Sequence, residues 1–140
     1  MAKSKPLKSQ QMAKCPTERQ EQDAVVKWAR MMAQYDDRFL MLRCGFEGLR
    51  LSMGVRMQCK RQSICNGWPD IFLAVPRRYQ ADILVAHFCG LFIELKRRKG
   101  GTVSQEQAEI IGRLQNQGYM AVVCRGADEA IKTISAYLGI

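Results

Sequence analysis

The segment GLFIELKRR, residues 90–98, places a carboxylate and an ammonium inside a run that is otherwise apolar. Its length and its aromatic and β-branched content predict a strand. Because side chains alternate between the two faces of a strand, Glu94 and Lys96 share one face. Ile93 and Leu95 lie on the other. Burying opposite charges beside a core is costly unless each has a partner, so this strand predicts a polar site on one face of a sheet.

A second segment, NGWPDIFLAV at residues 66–75, opens an apolar run with an acid. It predicts a strand over residues 70–75, and Asp70 at its start is the obvious partner for Glu94 across neighbouring strands. Two carboxylates held a few ångströms apart repel each other, and a divalent cation relieves that repulsion. Mg²⁺ is commonly held by one or two carboxylates, with waters and substrate phosphate completing its shell. Asp70 and Glu94 therefore predict a metal site, beside which Lys96 would orient or deprotonate a water.

Each of these motifs also has an ordinary structural explanation. A Glu-x-Lys pair at the end of a strand is often a solvated ion pair, and a Pro-Asp dipeptide is common in turns. The catalytic interpretation depends on their combination. A helical acid, a Gly-x-Pro-Asp segment and an apolar Glu-x-Lys strand follow one another in a single small basic chain.

Acids also occupy the first turn of a predicted helix. The segment TERQ, residues 17–20, is a capping box, and it predicts a helix that continues to about residue 34. When its apolar stripe is continued backwards, it passes through Glu18 and Glu21. Capping and solvation are the usual roles for acids at this place. The alternative is that one of them, Glu18 or its rival Glu21, points at the site.

The remaining elements give the fold class. A second capping box, residues 104–107, starts a helix that continues to about residue 117. The order of helices and strands predicts an α/β fold, a mixed sheet with helices on its faces. The other predicted elements are strands at residues 39–44, 83–88, 91–96 and 119–124, a basic loop with a short helix within 49–65, a turn at 76–82 and a closing helix at 127–138.

Charge and composition narrow the function classes. The formal net charge of +9 suits a polyanionic partner, most often nucleic acid, although a merely basic surface has the same signature. Residues 1–16 carry four lysines and no acid, which predicts a flexible basic arm before a single domain at residues 17–140. This arm lacks the apolar core of a secretory signal, and no run approaches the ~18 apolar residues of a membrane span.

The cysteines indicate the compartment. Six cysteines occur without a C-x-x-C pair, which argues against a structural zinc site. Cys89 and Cys124 lie in apolar runs, and this predicts buried thiols in a reducing compartment. We therefore expect the protein in the cytoplasm, with no disulfide and no zinc.

Four segments together resemble a nuclease family. TERQEQDAVVKWAR, GWPDIFLAV, GLFIELKRRKGGTVSQEQ and GYMAVVCRGADEAIKTI cover most of residues 17–138. They are similar to the PD-(D/E)XK superfamily, and more narrowly to the stand-alone VRR-NUC domains common in phages and prophages. This similarity implies the cytoplasm of a bacterium or of a phage-infected host. The resemblance implies a restriction-endonuclease-like mixed sheet flanked by helices, and hydrolysis of DNA phosphodiester bonds with Mg²⁺ or Mn²⁺. Because small members are similar to Holliday junction resolvases, it also implies branched DNA as substrate and a homodimer.

The resemblance also assigns roles to individual residues. Asp70 and Glu94 would ligate the metal, helped by the backbone carbonyl of Leu95, and Lys96 would be the catalytic lysine. Glu18 matches the helical glutamate of the family. Gln107 matches the glutamine that follows a serine at a helix start, where plain capping by Ser104 is the alternative. The basic residues near these motifs would contact DNA phosphates: Arg43, Arg50, Arg56, Lys60, Arg61, Arg97, Arg98 and Lys99.

Three functions thus remain open at the level of sequence. The first is a metal-dependent, structure-selective DNA endonuclease. The second is a non-catalytic nucleic-acid-binding module that retains the nuclease fold. The third is a basic structural protein of a phage particle or a ribosome-associated factor, which would leave the ordered acids unexplained.

Overall fold

A computed structural model describes residues 15–45, 52–81 and 84–140. Nearly all of the predicted N-terminal arm lies outside the described residues, and so does Arg50. The domain boundary after residue 16 therefore stays a prediction.

The described residues form four α-helices, one 3-10 helix and six strands. In chain order these are α1 (Glu18–Met32), the 3-10 helix (Asp37–Met41), β1 (Leu42–Cys44), α2 (Met53–Gln62), β2 (Ile71–Leu73), β3 (Arg77–Ala81), β4 (Leu84–Phe88), β5 (Leu91–Lys96), α3 (Gln105–Asn116), β6 (Met120–Arg125) and α4 (Ala127–Leu138).

Four of the strands form a mixed sheet in the order β1-β2-β5-β6. β1 with β2 and β2 with β5 pair antiparallel, whereas β5 and β6 pair parallel. β3 and β4 form a separate antiparallel hairpin. The predicted α/β class with a mixed sheet and flanking helices is confirmed. No helix in the described residues is long and apolar enough to span a membrane.

The two faces of the sheet are covered by different helices. On one face, α1 and α4 pack on β5 in a core that includes Val25, Ile93 and Ile134. A smaller apolar cluster on α3, β5 and β6 includes Ile110 and Phe92. Every residue of β5 is buried, as expected for a central strand with partners on both sides.

Both predicted capping boxes are present. The Thr17 hydroxyl accepts a hydrogen bond from the backbone N–H of Gln20, whose side chain accepts one from the N–H of Thr17. Ser104 and Gln107 exchange the same two bonds. These boxes start α1 and α3 where the sequence predicts, and α4 agrees with its predicted range.

Three local predictions are wrong. Residues 37–41 form a 3-10 helix, so the predicted strand at 39–44 is reduced to β1; Asp36 caps this turn by accepting the N–H of Arg38 at 3.0 Å. The predicted turn at 76–82 is largely the strand β3, which is fixed by its backbone pairing with β4. Cys124 is buried as predicted, but Cys89 is exposed because it lies in a bend between β4 and β5.

The loop that leads into β2 packs closely against the backbone at the start of α3. Gly67 has a φ of +88°, and a Cβ at this position would lie 2.7 Å from the backbone carbonyl carbon of Glu106. Neither the left-handed backbone nor the close approach suits a residue with a side chain. Gly67 therefore fixes where the chain enters β2, and so where Asp70 stands.

We predict that Gly67→Ala lowers the free energy of unfolding by about 2 kcal/mol or more, through backbone strain and the clash with α3. Gly112→Ala in α3 is the matched control, because nothing lies within 4 Å of the added Cβ. It should raise stability by about 0.5–1 kcal/mol, since alanine favours helix over glycine. Urea unfolding measures both variants, and a destabilisation by Gly112→Ala as large as that by Gly67→Ala would contradict the packing argument.

Candidate functional site

A polar pocket lies at the edge of the sheet where β5 ends and β2 begins. Its volume is about 140 Å³, and it joins residues from α1, β2, β5 and α3. A single water needs only about 10–15 Å³ of such volume, so the pocket has room for several. The lining residues are Glu18, Arg19, Gln22, Asp70, Glu94, Leu95, Lys96 and Gln107. We call this set the candidate pocket.

A buried ion pair forms its floor. The Nζ of Lys96 lies 2.7 Å from Oε1 of Glu94, and the two residues are 6% and 1% exposed. Strand alternation places both side chains on one face, as the sequence predicts. The Nε2 of Gln107 donates to the same Oε1 at 2.5 Å, while the Gln107 Oε1 accepts from the N–H of Ser104. Gln107 thus caps α3 and reaches the pocket at the same time.

Asp70 completes the pair of carboxylates. The register of β2 and β5 sets Ile71 against Ile93, so the next position brings Asp70 opposite Glu94. The Oδ2 of Asp70 accepts the backbone N–H of Leu95 at 2.7 Å. This bond holds the Asp70 carboxylate against the strand that carries Glu94 and Lys96.

The structure separates the two candidate acids of α1. Glu18 is exposed and lines the candidate pocket. Glu21 is 2% exposed, and its carboxylate accepts from Nε of Arg98 at 2.8 Å and from the N–H of Ala127 at 2.9 Å. The hydrogen bond from Arg98 lowers the pKa of Glu21 against the opposing effect of burial, and the Ala127 N–H lowers it further. Glu21 therefore connects α1 to α4, and Glu18 is the one of these two acids that lines the candidate pocket.

Arg98 is part of the contact between α1 and α4. Besides Glu21, its guanidinium contacts Asp128 at 3.0 Å. Two carboxylates already balance its charge, so Arg98 is a weaker candidate for a phosphate contact than its neighbours. Gly126 makes room for it, because a Cβ there would lie 2.8 Å from Cγ of Arg98.

The other basic residues predicted to contact DNA are exposed where the structure describes them. Arg43 lies on β1, α2 carries three of them, and two follow β5. The exposed set is Arg43, Arg56, Lys60, Arg61, Arg97 and Lys99. Arg50 lies outside the described residues. Sequence reasoning missed Arg19 in the candidate pocket; its position next to Glu18 on α1 was the available signal.

The oxygen ligands present fit a small divalent cation. Asp70 and Glu94 offer hard carboxylate oxygens in a polar pocket with room for water, and Mg²⁺ commonly takes two or fewer carboxylates from a protein. Within residues 15–45, 52–81 and 84–140 there is no group of three or more His, Cys, Asp or Glu side chains that could hold a metal. An ion held by Asp70 and Glu94 would take waters or substrate oxygens as further ligands.

Comparison with known proteins identifies the family. The model of the VRR-NUC domain matches residues 7–128. The chain belongs to the VRR-NUC family. A solved structure described as a VRR_NUC domain protein is similar over 90% of this chain and 91% of its own, with a TM-score of 0.69 and 26% identity. No curated protein matches this chain. The predicted VRR-NUC resemblance is confirmed, and it gives the chain a nuclease-type fold.

We predict that the Glu21–Arg98 contact stabilises this VRR-NUC domain near neutral pH and that this contribution is lost in acid. Because the folded pKa of Glu21 lies below the unfolded value of about 4.3, its contribution is complete above that pH and is lost as pH falls below it. Glu21→Gln should therefore cost about 1–3 kcal/mol near neutral pH and less near pH 3, because the contribution declines as the pH falls from the unfolded pKa through the folded one. Urea unfolding at both pH values measures this, with the exposed Glu109→Gln as control. A cost that is the same at both pH values would contradict the assignment.

A double-mutant cycle tests the buried pair of the VRR-NUC pocket. Lys96→Met removes the cation beside the buried Glu94, and Glu94→Met removes the anion beside Lys96; each should cost about 3–5 kcal/mol. The double variant should recover most of this loss, because two apolar side chains of similar size need no ionic partner. Urea unfolding without added metal gives the coupling energy. Additive costs would mean that the two charges do not stabilise each other.

Proposed function

We propose that this VRR-NUC domain is a divalent-metal-dependent DNA endonuclease of the PD-(D/E)XK type. The observation that carries the proposal is the buried Glu94–Lys96 pair next to Asp70 in the candidate pocket. Two carboxylates and a lysine within one pocket supply what metal-assisted phosphodiester hydrolysis uses: a place for a cation, and a cationic group near the reacting phosphate.

Each residue of the candidate pocket has a role in this proposal. Asp70 and Glu94 would hold Mg²⁺ or Mn²⁺, with the backbone carbonyl of Leu95 as a further ligand. When bound, such an ion polarises a phosphoryl oxygen and acidifies a bound water. The ammonium of Lys96 would orient the attacking water and stabilise the charge that develops on the phosphate oxygens.

Two further residues support this arrangement. Gln107 donates to Glu94, which fixes the orientation of that carboxylate. Glu18 stands on α1 at the rim, where an exposed carboxylate is able to hold a water or accept its proton.

The exposed basic residues supply the affinity for DNA. Contacts from Arg and Lys to phosphates release counterions and position a duplex without reading its sequence. We propose that Arg43, the basic residues of α2, and Arg97 with Lys99 make these contacts, and that Arg50 does the same. Recognition by backbone and branch shape would follow. A symmetric homodimer would present two sites to a four-way junction, as in a Holliday junction resolvase.

Cleavage assays test the proposal. We expect a labelled four-way junction, a flap and a blunt duplex to be cut with Mg²⁺ or Mn²⁺ and not with EDTA. Asp70→Asn should lower the rate of cleavage by more than about 100-fold. Residues that only hydrogen-bond a metal ligand already contribute about 10- to 100-fold to activity, and in this proposal Asp70 is a ligand itself. Binding in EDTA should change little. The matched control is Asp23→Asn, which changes an exposed acid of α1 to its amide.

The outcomes separate the alternatives. Paired cuts near the crossover of the junction would support a dimeric resolvase, whereas cutting of flaps or duplex alone would keep the nuclease and reject the junction. Tight DNA binding with no metal-dependent cleavage of any substrate would reject the enzyme in favour of the non-catalytic binding module.

A further inference from the structure

Trp68 is a large aromatic residue that stays exposed beside the candidate pocket. It is 45% exposed, although its chain neighbours Gly67 and Pro69 are both buried. It precedes Asp70 by two residues, which limits the separation of their Cα atoms to about 7 Å. Exposed apolar residues are ordinary on a protein surface, but this one is held in a fixed place two residues before Asp70.

Two contacts fix the position of Trp68. Its ring centroid lies 5.9 Å from that of Phe92, which stacks at 4.3 Å on Phe72. Its backbone is set by Gly67, which packs on the backbone of Glu106 and Gln107 at the start of α3. The same Gln107 donates to Glu94, so Trp68 and the candidate pocket share one rigid support.

The segment before Trp68 exposes apolar side chains such as Ile64 and Met57, but all of its charges are positive, which favours a polyanion as the partner. Within residues 52–69 the chain carries Arg56, Lys60 and Arg61 and no acid. These three cations are exposed on α2, which has no buried residue among the described part of the chain. A half-exposed aromatic ring, preceded in the chain by a helix of exposed cations, is a combination that suits single-stranded nucleic acids, with bases stacked on the ring and phosphates held by the cations.

We propose that Trp68 stacks on an unpaired base of the DNA next to the scissile phosphate. In an intact duplex each base already stacks on its neighbours, so its face is not available; branch points, flaps and single strands offer it. The Cα atoms of Asp70 and Trp68 lie at most about 7 Å apart, which is the length of one or two nucleotides at about 3.4 Å each along a strand. The preferred substrate of this nuclease is thus DNA with an unstacked nucleotide within about two positions of the cleaved bond. This inference rests on the proposed function.

Tryptophan fluorescence tests the contact without catalysis. The chain has two tryptophans, so Trp28→Phe leaves Trp68 as the single tryptophan emitter. Phenylalanine keeps a ring at position 28, where Trp28 packs edge-on against Phe39 at 5.1 Å. In EDTA, a short oligothymidylate should quench this emission, and a blunt duplex of equal length should not. Equal quenching by both, or none by the single strand, would overturn the proposal.

Affinity measurements give the size of the effect. Trp68→Ala should weaken binding of labelled oligothymidylate by about 5- to 150-fold, the range for one stacked base, and change duplex binding less than twofold. Trp68→Phe keeps a ring and should recover part of the loss, which also serves if the alanine variant folds poorly. Tyr35→Ala is the matched control, because Tyr35 is 82% exposed on the loop after α1. Equal losses for single strand and duplex would overturn the proposal.

Cleavage then distinguishes this inference from the proposed function. If the wild type cuts DNA and Trp68→Ala cuts flaps and blunt duplex with an unchanged ratio, the stacking proposal is wrong and the nuclease stands. If Trp68 is quenched by single strands but no substrate is cut, base stacking stands and the nuclease is wrong.

Discussion

The buried ion pair of Glu94 and Lys96 is the constraint on which the site depends. β5 is paired on both sides and buried throughout, so its two charges must find partners inside the protein. They find each other at 2.7 Å, and the start of α3 supplies Gln107. The entry to β2 adds Asp70, which is fastened to the N–H of Leu95. A buried ion pair often contributes little more stability than apolar residues of similar size, so stability alone does not account for charges here.

A second polar network sets the position of α1. The carboxylate of Glu21 bonds Arg98 after β5 and the N–H of Ala127 in the first turn of α4. Gly126 gives α4 no side-chain cap, and Glu21 fills that role from another helix. Because one helical turn separates Glu18 from Glu21, the same network presents Glu18 at the pocket rim. Of the two acids on this stripe, Glu21 therefore stabilises the fold and Glu18 lines the pocket.

The features that the sequence predicts correctly are those that depend on residues close together in the chain. The capping boxes at Thr17 and Ser104 and the alternation of Glu94 and Lys96 depend on neighbouring residues only, and the structure has them as predicted. The choice between Glu18 and Glu21 depends on Arg98, which is distant in the chain, so no local pattern decides it. The same holds for β3, whose residues form a strand because β4 pairs with them. The 3-10 helix before β1 overrides an apolar run because Asp36 caps it.

Rigid and exposed parts of the molecule divide the work of the proposed enzyme. The groups that would meet the reacting phosphate, Asp70, Glu94 and Lys96, are held by strand pairing, burial and side-chain bonds. Such support is what keeps reacting groups within a fraction of an ångström of a productive geometry. The cations of α2 and residues 97–99 lie outside this support, where a phosphate contact needs charge and reach more than fixed geometry. Trp68 is the exception, an exposed group on a fixed loop, and a stacking surface next to a cleaved bond needs both properties.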